Sequence, residues 1–186
     1  MSGVRDRNPA LVPATDDLPP ITWLMSFTES FLQEFDGEMA ATRKMLERVP
    51  AASLDWKPHT KSKSLGELAT HLTELPRFGL RIKSDEFAAG SEKAPPMKSA
   101  ADFLARFDEN VREAREAIAA MSEEELSRDF TVTRGGQVFF TLKKRFLLRR
   151  ILLNHLIHHR GQLSVYLRLN DVPLPAIYGP TADEES

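Results

Sequence analysis

At 186 residues, with 41% hydrophobic and 28% charged side chains, the chain has the size and composition of one soluble globular domain. Its formal net charge of -2 gives no general attraction to nucleic acids or anionic membranes. The absence of cysteine excludes disulfides, thiolate metal ligands and a cysteine nucleophile, and it suits a reducing compartment. No stretch is apolar enough to predict a membrane span, so we expect a cytoplasmic protein that binds neither membranes nor nucleic acids.

The N-terminal residues 1–20 are predicted to form a flexible arm. They carry four prolines among small and charged residues, and no apolar segment of the kind found in a signal peptide follows the first arginines. We expect a single helical domain to occupy residues 21–184.

The first predicted helix covers Ile21 to about Val49 and ends before Pro50, because apolar residues recur at helical spacing through this stretch. Phe27, Phe31 and Phe35 lie four residues apart on one face. Such a row could be a stacking surface for a cofactor, but phenylalanines at this spacing are typical of a bundle core.

A second helix is predicted to begin after Ser64, because Ser64 and Glu67 have the spacing of a capping box. His71 falls on the inner face of this helix among apolar residues, and Pro76 should kink the helix one turn later. Glu67 has two interpretations: it is the carboxylate of the cap, or it orients the imidazole of a metal ligand.

Three smaller signals follow. Ser99 indicates the start of a third helix, and Ser122 to Glu125 indicates one or two further turns. The segment from Thr131 to Phe140 places β-branched and aromatic residues on both sides of Gly135-Gly136, which predicts a small β-hairpin before the last helix. We expect this hairpin to be peripheral to the helical domain.

The longest helix-compatible stretch, Leu147 to Leu169, contains His155, His158 and His159. Residues four apart stack on one face of a helix, so His155 and His159 should point the same way and can reach one divalent ion. The pair alone is a weak signal, because a buried histidine is often only a hydrogen-bonded core residue. His158 could replace His159 as a ligand, or it could be a surface histidine.

The same projection continues the histidine stripe through Gln162, Tyr166 and Leu169. Gln162 and Tyr166 are therefore candidates for lining the pocket or for orienting a metal ligand, with hydrogen bonding to a neighbouring helix as the alternative. Arg160 should point away from this stripe and have a structural or interface role.

Four long helices with connections of mixed length predict an all-α, four-helix bundle, in which sites are built from inward side chains of facing helices. If the second and last helices are neighbours, His71 supplies a third imidazole to His155 and His159. Three imidazoles that leave coordination positions open are typical of catalytic metal sites, although Glu67 or another carboxylate could complete the shell.

Several segments of the chain resemble the DinB-like metal-binding proteins. These are Trp56-Lys57-Pro58-His59, Ser64 to Leu68 with His71, Asn154 to Gln162, and Val172 to Glu184. The resemblance spans about residues 21–184. It implies a four-helix bundle, a homodimer and one divalent metal ion held by His71, His155 and His159.

The superfamily includes bacterial thiol transferases, so the resemblance implies a metal-dependent transferase that activates a low-molecular-weight thiol, or water, toward a small electrophile. A chain without cysteine would take that thiol from a cosubstrate. The alternative is a non-enzymatic, stress-related binding protein with a structural metal. Zinc and nickel are the first candidates for the ion, and iron and manganese are the others.

Two surface features complete the prediction. Phe146, Leu153 and Ile157 lie opposite the histidines, so this apolar face needs cover either from the bundle itself or from a second copy in a homodimer. The basic residues near the start of the last helix are interpreted as a solvated end, because no aromatic residues for base stacking alternate with them. These are Lys143, Lys144, Arg145, Arg149 and Arg150.

Overall fold

The structure, a computed structural model, describes residues 25–90 and 94–184. The predicted arm, residues 1–20, and the predicted start of the first helix at Ile21 lie outside the described residues. Within the described ranges, no helix is both long enough and apolar enough to cross a membrane.

The described chain forms a helical bundle with a small sheet on one side. The helices are α1 (Phe27–Glu47), α2 (Leu65–Glu74), α3 (Phe78–Arg81), α4 (Ala100–Ala119), α5 (Glu123–Leu126), α6 (Lys144–Leu147) and α7 (His155–Arg168). Single turns of 3-10 helix cover Ala51–Ser53 and Leu75–Arg77, and a π-helical segment, Leu148–Asn154, joins α6 to α7. The strands are β1 (Glu86–Ala88), β2 (Asp129–Arg134) and β3 (Gln137–Lys143).

The four long helices α1, α2, α4 and α7 confirm the predicted bundle. Helix α1 packs against α4 and α7, and α2 packs against the same two helices. Phe31 and Phe35 of α1 are buried in the common core, as expected, together with Phe103 and Phe107 of α4. The second and last helices are therefore neighbours, as a shared histidine site requires.

Helix starts follow the capping residues. The Ser64 hydroxyl accepts a hydrogen bond from the Glu67 amide at 3.1 Å, and the Glu67 carboxylate accepts one from the Ser64 amide at 2.7 Å, so the predicted capping box is present. A second capping box, made by Ser26 and Glu29, begins α1 at Phe27. Within the described residues this helix begins at Phe27, because the Ser26 hydroxyl accepts a hydrogen bond from the Glu29 amide and so satisfies one of the first free amides.

The predicted hairpin is present, but it belongs to a larger sheet. Gly135 and Gly136 form its two-residue turn with φ angles of 59° and 77°, the left-handed values that a type I′ turn needs. Strand β1, which the sequence did not predict, pairs in parallel with β2. Phe130 of β2 is fully buried and contacts Phe78 at 5.8 Å between ring centroids, so the sheet is packed onto the bundle and is not peripheral.

Strand β3 contains a β-bulge. Phe140 pairs with Val132 and Val138 pairs with Thr133, which leaves Phe139 without a partner on β2. A bulge adds one residue to one strand and changes the direction of the side chains there.

The last predicted helix is interrupted by the π-helical segment. A π turn closes hydrogen bonds between residues five apart, so it takes one residue more than an α turn. The buried stripe consequently continues through residues that follow the predicted ones by one position: Leu156, Arg160, Leu163 and Leu167. Leu169, predicted to be on the inner stripe, is 58% exposed.

Arg160 lies outside the histidine group, as the projection predicted, and it has a structural role. Arg160 is 4% exposed, and its guanidinium forms an ion pair of 2.7 Å with Glu38 of α1. Tyr178, near the C-terminus, donates a hydrogen bond to the Glu38 carboxylate at 2.7 Å and also contacts Arg160. These contacts therefore join α1, α7 and the C-terminal segment, although Tyr178 itself is exposed.

The predicted apolar face opposite the histidines is mostly covered by the chain itself. Leu153 is fully buried and Ile157 is partly buried, so the argument for a dimer no longer rests on them. Phe146 remains 59% exposed.

Candidate metal site

Three histidine side chains converge where α2 meets the first turns of α7. The Nε2 atom of His155 lies 3.3 Å from Nε2 of His71 and 2.8 Å from Nε2 of His159. One nitrogen from each ring can be chosen so that all three lie within 4.8 Å of one another. Within the described residues, these three histidines are the group of side chains with a metal-binding arrangement.

Hydrogen bonds at the far side of two rings determine which nitrogen keeps its lone pair. Nδ1 of His159 lies 2.7 Å from Oε1 of Gln162, so Nδ1 donates to this oxygen and Nε2 is left with a lone pair. His155 is hydrogen-bonded to the backbone of Ile151, and because its Nε2 faces the other two rings, Nδ1 makes this bond. Both Nε2 atoms therefore offer lone pairs to the centre of the group.

The surroundings of the rings favour their neutral form. Burial, followed by the two neighbouring imidazoles, lowers the pKa of His71 to about 3. Burial is also the largest cause of the lowered pKa values of His155 and His159. All three rings are therefore neutral near pH 7, which is the state in which imidazole binds metals.

This arrangement fits a divalent metal ion. Zinc–nitrogen bonds of about 2.0–2.1 Å in tetrahedral geometry put ligand nitrogens about 3.3 Å apart. The His71–His155 nitrogen separation of 3.3 Å has this value, and the His155–His159 separation of 2.8 Å is somewhat shorter. Three neutral imidazoles suit zinc, nickel, iron or manganese, and they leave positions for further ligands.

The structure gives the other predicted site residues different surroundings. Glu67 is held in its capping box and lies 3.6 Å from the Lys57 ammonium, so the cap interpretation is the one observed. His158 is exposed and contacts only the edge of the group, with 4.9 Å between its ring centroid and that of His159. Tyr166 packs edge-on against Trp56, with 5.5 Å between the ring centroids. It therefore contacts a neighbouring segment of the chain and lines neither of the two spaces described below.

A cavity of about 510 Å³ opens beside the histidines and is called the apolar cavity below. His71 and His155 are part of its lining. Most of its wall is apolar and comes from both the bundle and the sheet, including Phe78, Phe87, Phe140 and Ile151.

A second depression, of about 770 Å³, lies on another side of His71 and is called the polar groove. Its lining is mainly polar and includes Asp55, Lys63, Thr70 and Lys98. His71 is therefore accessible from two spaces of different chemical character.

The contribution of the sheet to the apolar cavity was missed from the sequence. The consecutive aromatic residues Phe139 and Phe140 were a visible signal, but they were assigned only to a hairpin. In a regular strand neighbouring residues face opposite sides, so nothing in the sequence alone indicated that both would face one cavity.

Comparison with known proteins gives a consistent family relationship. A family model described as the DinB superfamily matches residues 34–163. An uncharacterized protein of Bacillus subtilis (strain 168), YrdA, is 26% identical over 158 residues, which are 84% of this chain and 90% of that protein.

Solved structures show the same fold. A DinB-like protein from Bacillus subtilis matches with a TM-score of 0.63 and 23% identity, covering 80% of this chain and 97% of that one. A DinB-like protein from Bacillus cereus matches with a TM-score of 0.63 and 24% identity, covering 81% and 97%. At these identities the likeness concerns the fold alone.

Proposed function

Because the chain belongs to the DinB superfamily and brings three neutral imidazoles together, we propose that it binds one divalent metal ion through His71, His155 and His159. We propose further that the site is catalytic and transfers a low-molecular-weight thiol, or water, to a small electrophile. The observation that carries the proposal is the convergence of three imidazole nitrogens beside a cavity.

The protein's own residues have distinct roles in this proposal. Gln162 and the Ile151 backbone hold the His159 and His155 rings so that their Nε2 lone pairs face the centre of the histidine group, where an ion would be held. Burial keeps the ligands neutral, so that protons do not compete with the metal near pH 7. A bound divalent ion would lower the pKa of a thiol or water molecule beside it and thus supply the nucleophile.

The two spaces at His71 favour a reaction between two different reactants. The lining of the polar groove carries Lys63 and Lys98 together with Asp55 and Glu67, so it suits a hydrophilic cosubstrate that has both carboxylate and ammonium groups. The apolar cavity suits its reaction partner. The chain has no cysteine, so a reactive thiol would have to come from such a cosubstrate. A metal that only tied α2 to α7 would have no need of either space.

Metal analysis tests the first part of the proposal. Protein purified without a histidine tag is expected to contain about one zinc or nickel ion per chain, and the variants His71→Ala, His155→Ala and His159→Ala are each expected to lose most of it. The matched control is His158→Ala, because His158 is exposed on the same helix. Full metal occupancy in all four variants would refute the assignment of the site.

The second part is tested by turnover. Metal-loaded protein is incubated with panels of thiols plus electrophiles, and with esters and epoxides in water, and metal-dependent product formation is expected in at least one panel. Absence of metal-dependent turnover, together with unfolding on chelation, would leave a binding protein with a structural metal.

A further inference from the structure

The apolar cavity is built jointly by the bundle and the sheet. The bundle contributes Leu75, Phe78 and Ile151, in addition to His71 and His155. The sheet contributes residues from each of its three strands, namely Phe87, Val132, Phe139 and Phe140. A cavity of this size with a mainly apolar wall and a few polar groups is typical of sites for small molecules.

The bulge in β3 explains how two consecutive phenylalanines reach the same cavity. Successive residues of a regular strand face opposite sides of the sheet. Because Phe139 has no partner on β2, the strand direction changes there, and the rings of Phe139 and Phe140 lie 5.4 Å apart with both lining the cavity. Bulges of this kind are frequent next to sites, where they redirect a side chain.

Ring contacts hold much of the wall in place before any ligand binds. Phe78 contacts Phe87 edge-on at 6.4 Å and Phe130 at 5.8 Å. The guanidinium of Arg81 lies 4.6 Å from the centre of the Phe87 ring. A wall fixed in this way needs little reorganisation on binding, which favours affinity.

The charged residues in the lining do not create a field of one sign. Glu74 accepts hydrogen bonds from Arg77 at 3.1 Å and from Arg106 at 3.0 Å, so its charge is balanced within the protein. The guanidinium of Arg81, which is in the same lining, lies against the Phe87 ring at 4.6 Å, so this charge is also engaged by a protein group. The cavity is therefore suited to an uncharged group.

Phe139 is 64% exposed although it lines the cavity, which places an apolar ring partly in water. A ligand group that covers this ring would remove apolar surface from water on both molecules. The exposed ring thus adds a reason for binding an apolar group at this position.

We propose that the apolar cavity binds an uncharged aryl or branched-alkyl group of the substrate, whose polar head group reaches His71 and His155. The position of the head group rests on the proposed function. The new element is that the bulged hairpin selects the apolar part of the substrate. The electrophile would then be an aryl or branched-alkyl compound, and the hydrophilic reactant would occupy the polar groove.

The first test compares two probes with the same metal-binding head group. Acetohydroxamic acid and 2-naphthohydroxamic acid are titrated into zinc-loaded protein by calorimetry. The naphthyl compound is expected to bind at least about tenfold more tightly, because its ring system buries apolar surface in the cavity. Equal affinities of the two probes would overturn the proposal.

Variants on one strand connect this preference to the bulge. Phe139→Ala is expected to reduce the naphthyl preference about threefold or more and to leave acetohydroxamic acid binding unchanged. The control is Val138→Ala, since Val138 is equally exposed at 67%, is adjacent on β3 and does not line the cavity. Equal losses in both variants would show adsorption to the hairpin and overturn the proposal.

A metal-free experiment separates this inference from the proposed function. Binding of 2-naphthol to chelator-treated protein, followed by its fluorescence, is expected for the wild type, weaker for Phe139→Ala and unchanged for Val138→Ala. If the protein holds no metal but this pattern is found, the cavity assignment stands and the proposed function fails. If metal is bound at His71, His155 and His159 but neither naphthyl probe binds, the cavity assignment fails alone.

Discussion

Single hydrogen bonds decide whether the three imidazoles can act together. The bond of 2.7 Å between His159 and Gln162 holds the ring and assigns its proton to Nδ1. The sequence predicted Gln162 as a candidate either for contact with a ligand or for holding a metal ligand in place, and the structure shows it hydrogen-bonded to His159. The sequence shows that His159 and Gln162 are three residues apart on one helix, but it does not show which group the Gln162 amide contacts.

We expect Gln162→Ala to weaken metal binding about ten- to a hundredfold, because removal of a partner that orients a ligand typically has this effect. The change is measured by competition with a chromophoric chelator. Gln162→Glu retains an acceptor for Nδ1 and should keep most of the affinity. An unchanged affinity in Gln162→Ala would show that the hydrogen bond does not contribute.

The lowered pKa of His71 has a consequence for the stability of the metal-free protein. Its pKa is about 3 in the folded state and near 6.5 in the unfolded state, so between these values the unfolded state binds more protons. Stability therefore rises with pH across this window and is lost as the pH falls below 6.5.

The expected contribution of His71 is at most about 1.4 kcal/mol per pH unit, reduced by its partial exposure to solvent. Urea unfolding of metal-free protein between pH 4 and pH 7 should show a shallower pH dependence for His71→Gln than for the wild type. Identical slopes for the two proteins would contradict the lowered pKa.

At the scale of elements, the bundle and the hairpin were predictable and the details of the last helix were not. Capping serines and the glycine pair are local signals that act within a few residues, and both gave correct boundaries. The π-helical segment has no such local signal, and extending the α-helical period through it put Leu169 on the buried face, although His155 and His159 share one side as predicted. The short strand β1 has three residues and gave too little pattern to be predicted.

The extra residue of the π-helical segment sets the angle between the core face of α6 and the histidine face of α7. Deletion of Arg150 would remove one residue and rotate the two faces by about 100° relative to each other. We expect this deletion to lower both the thermal midpoint and the metal content. Arg150→Ala is the control, because Arg150 is exposed and its side chain alone should be dispensable; equal behaviour of the two variants would contradict the role of the inserted residue.

The ion pair between Arg160 and Glu38 is a second connection between elements. Its side chains are only 5% and 12% exposed, so removing one partner leaves a largely buried charge. We expect Arg160→Ala to lower the free energy of unfolding by about 3 kcal/mol. The exposed pair of Arg43 with Asp108 is the comparison, and Arg43→Ala should cost less than about 1 kcal/mol.

Urea denaturation of both variants measures these costs. Because Arg160 does not belong to the histidine group, its replacement should leave the metal content of the remaining folded protein unchanged. Equal costs for the two variants would show that the buried pair has no special importance for stability.

At the scale of the whole molecule, the homodimer stays a prediction, and of the three residues of the predicted apolar face only Phe146 still supports it. Phe146 is 59% exposed and lines a depression of about 430 Å³ together with Phe27 and Phe31 of α1. The arginines at the rim of this depression, Arg145 and Arg149, pair with Glu123 and Glu34, so they are parts of a balanced surface.

Sedimentation equilibrium at micromolar concentration is expected to give twice the chain mass of 21.0 kDa. Phe146→Glu should shift the equilibrium toward the monomer, because it puts a charge into an apolar contact. Val165→Glu is the control, since Val165 is also exposed but lies on α7 outside this depression. A wild-type mass of one chain would refute the dimer.

The bulge at Phe139 has one more consequence, which concerns aggregation. Among the described strands, β3 lies at an edge of the sheet, where free backbone groups can pair with a strand of another molecule. Val138 and Phe139 are exposed there, and a flat edge with these residues would invite such pairing. An irregular, twisted edge resists such pairing. The same extra residue that turns an aromatic ring toward the cavity therefore also hinders β3 from pairing with β3 of a second molecule.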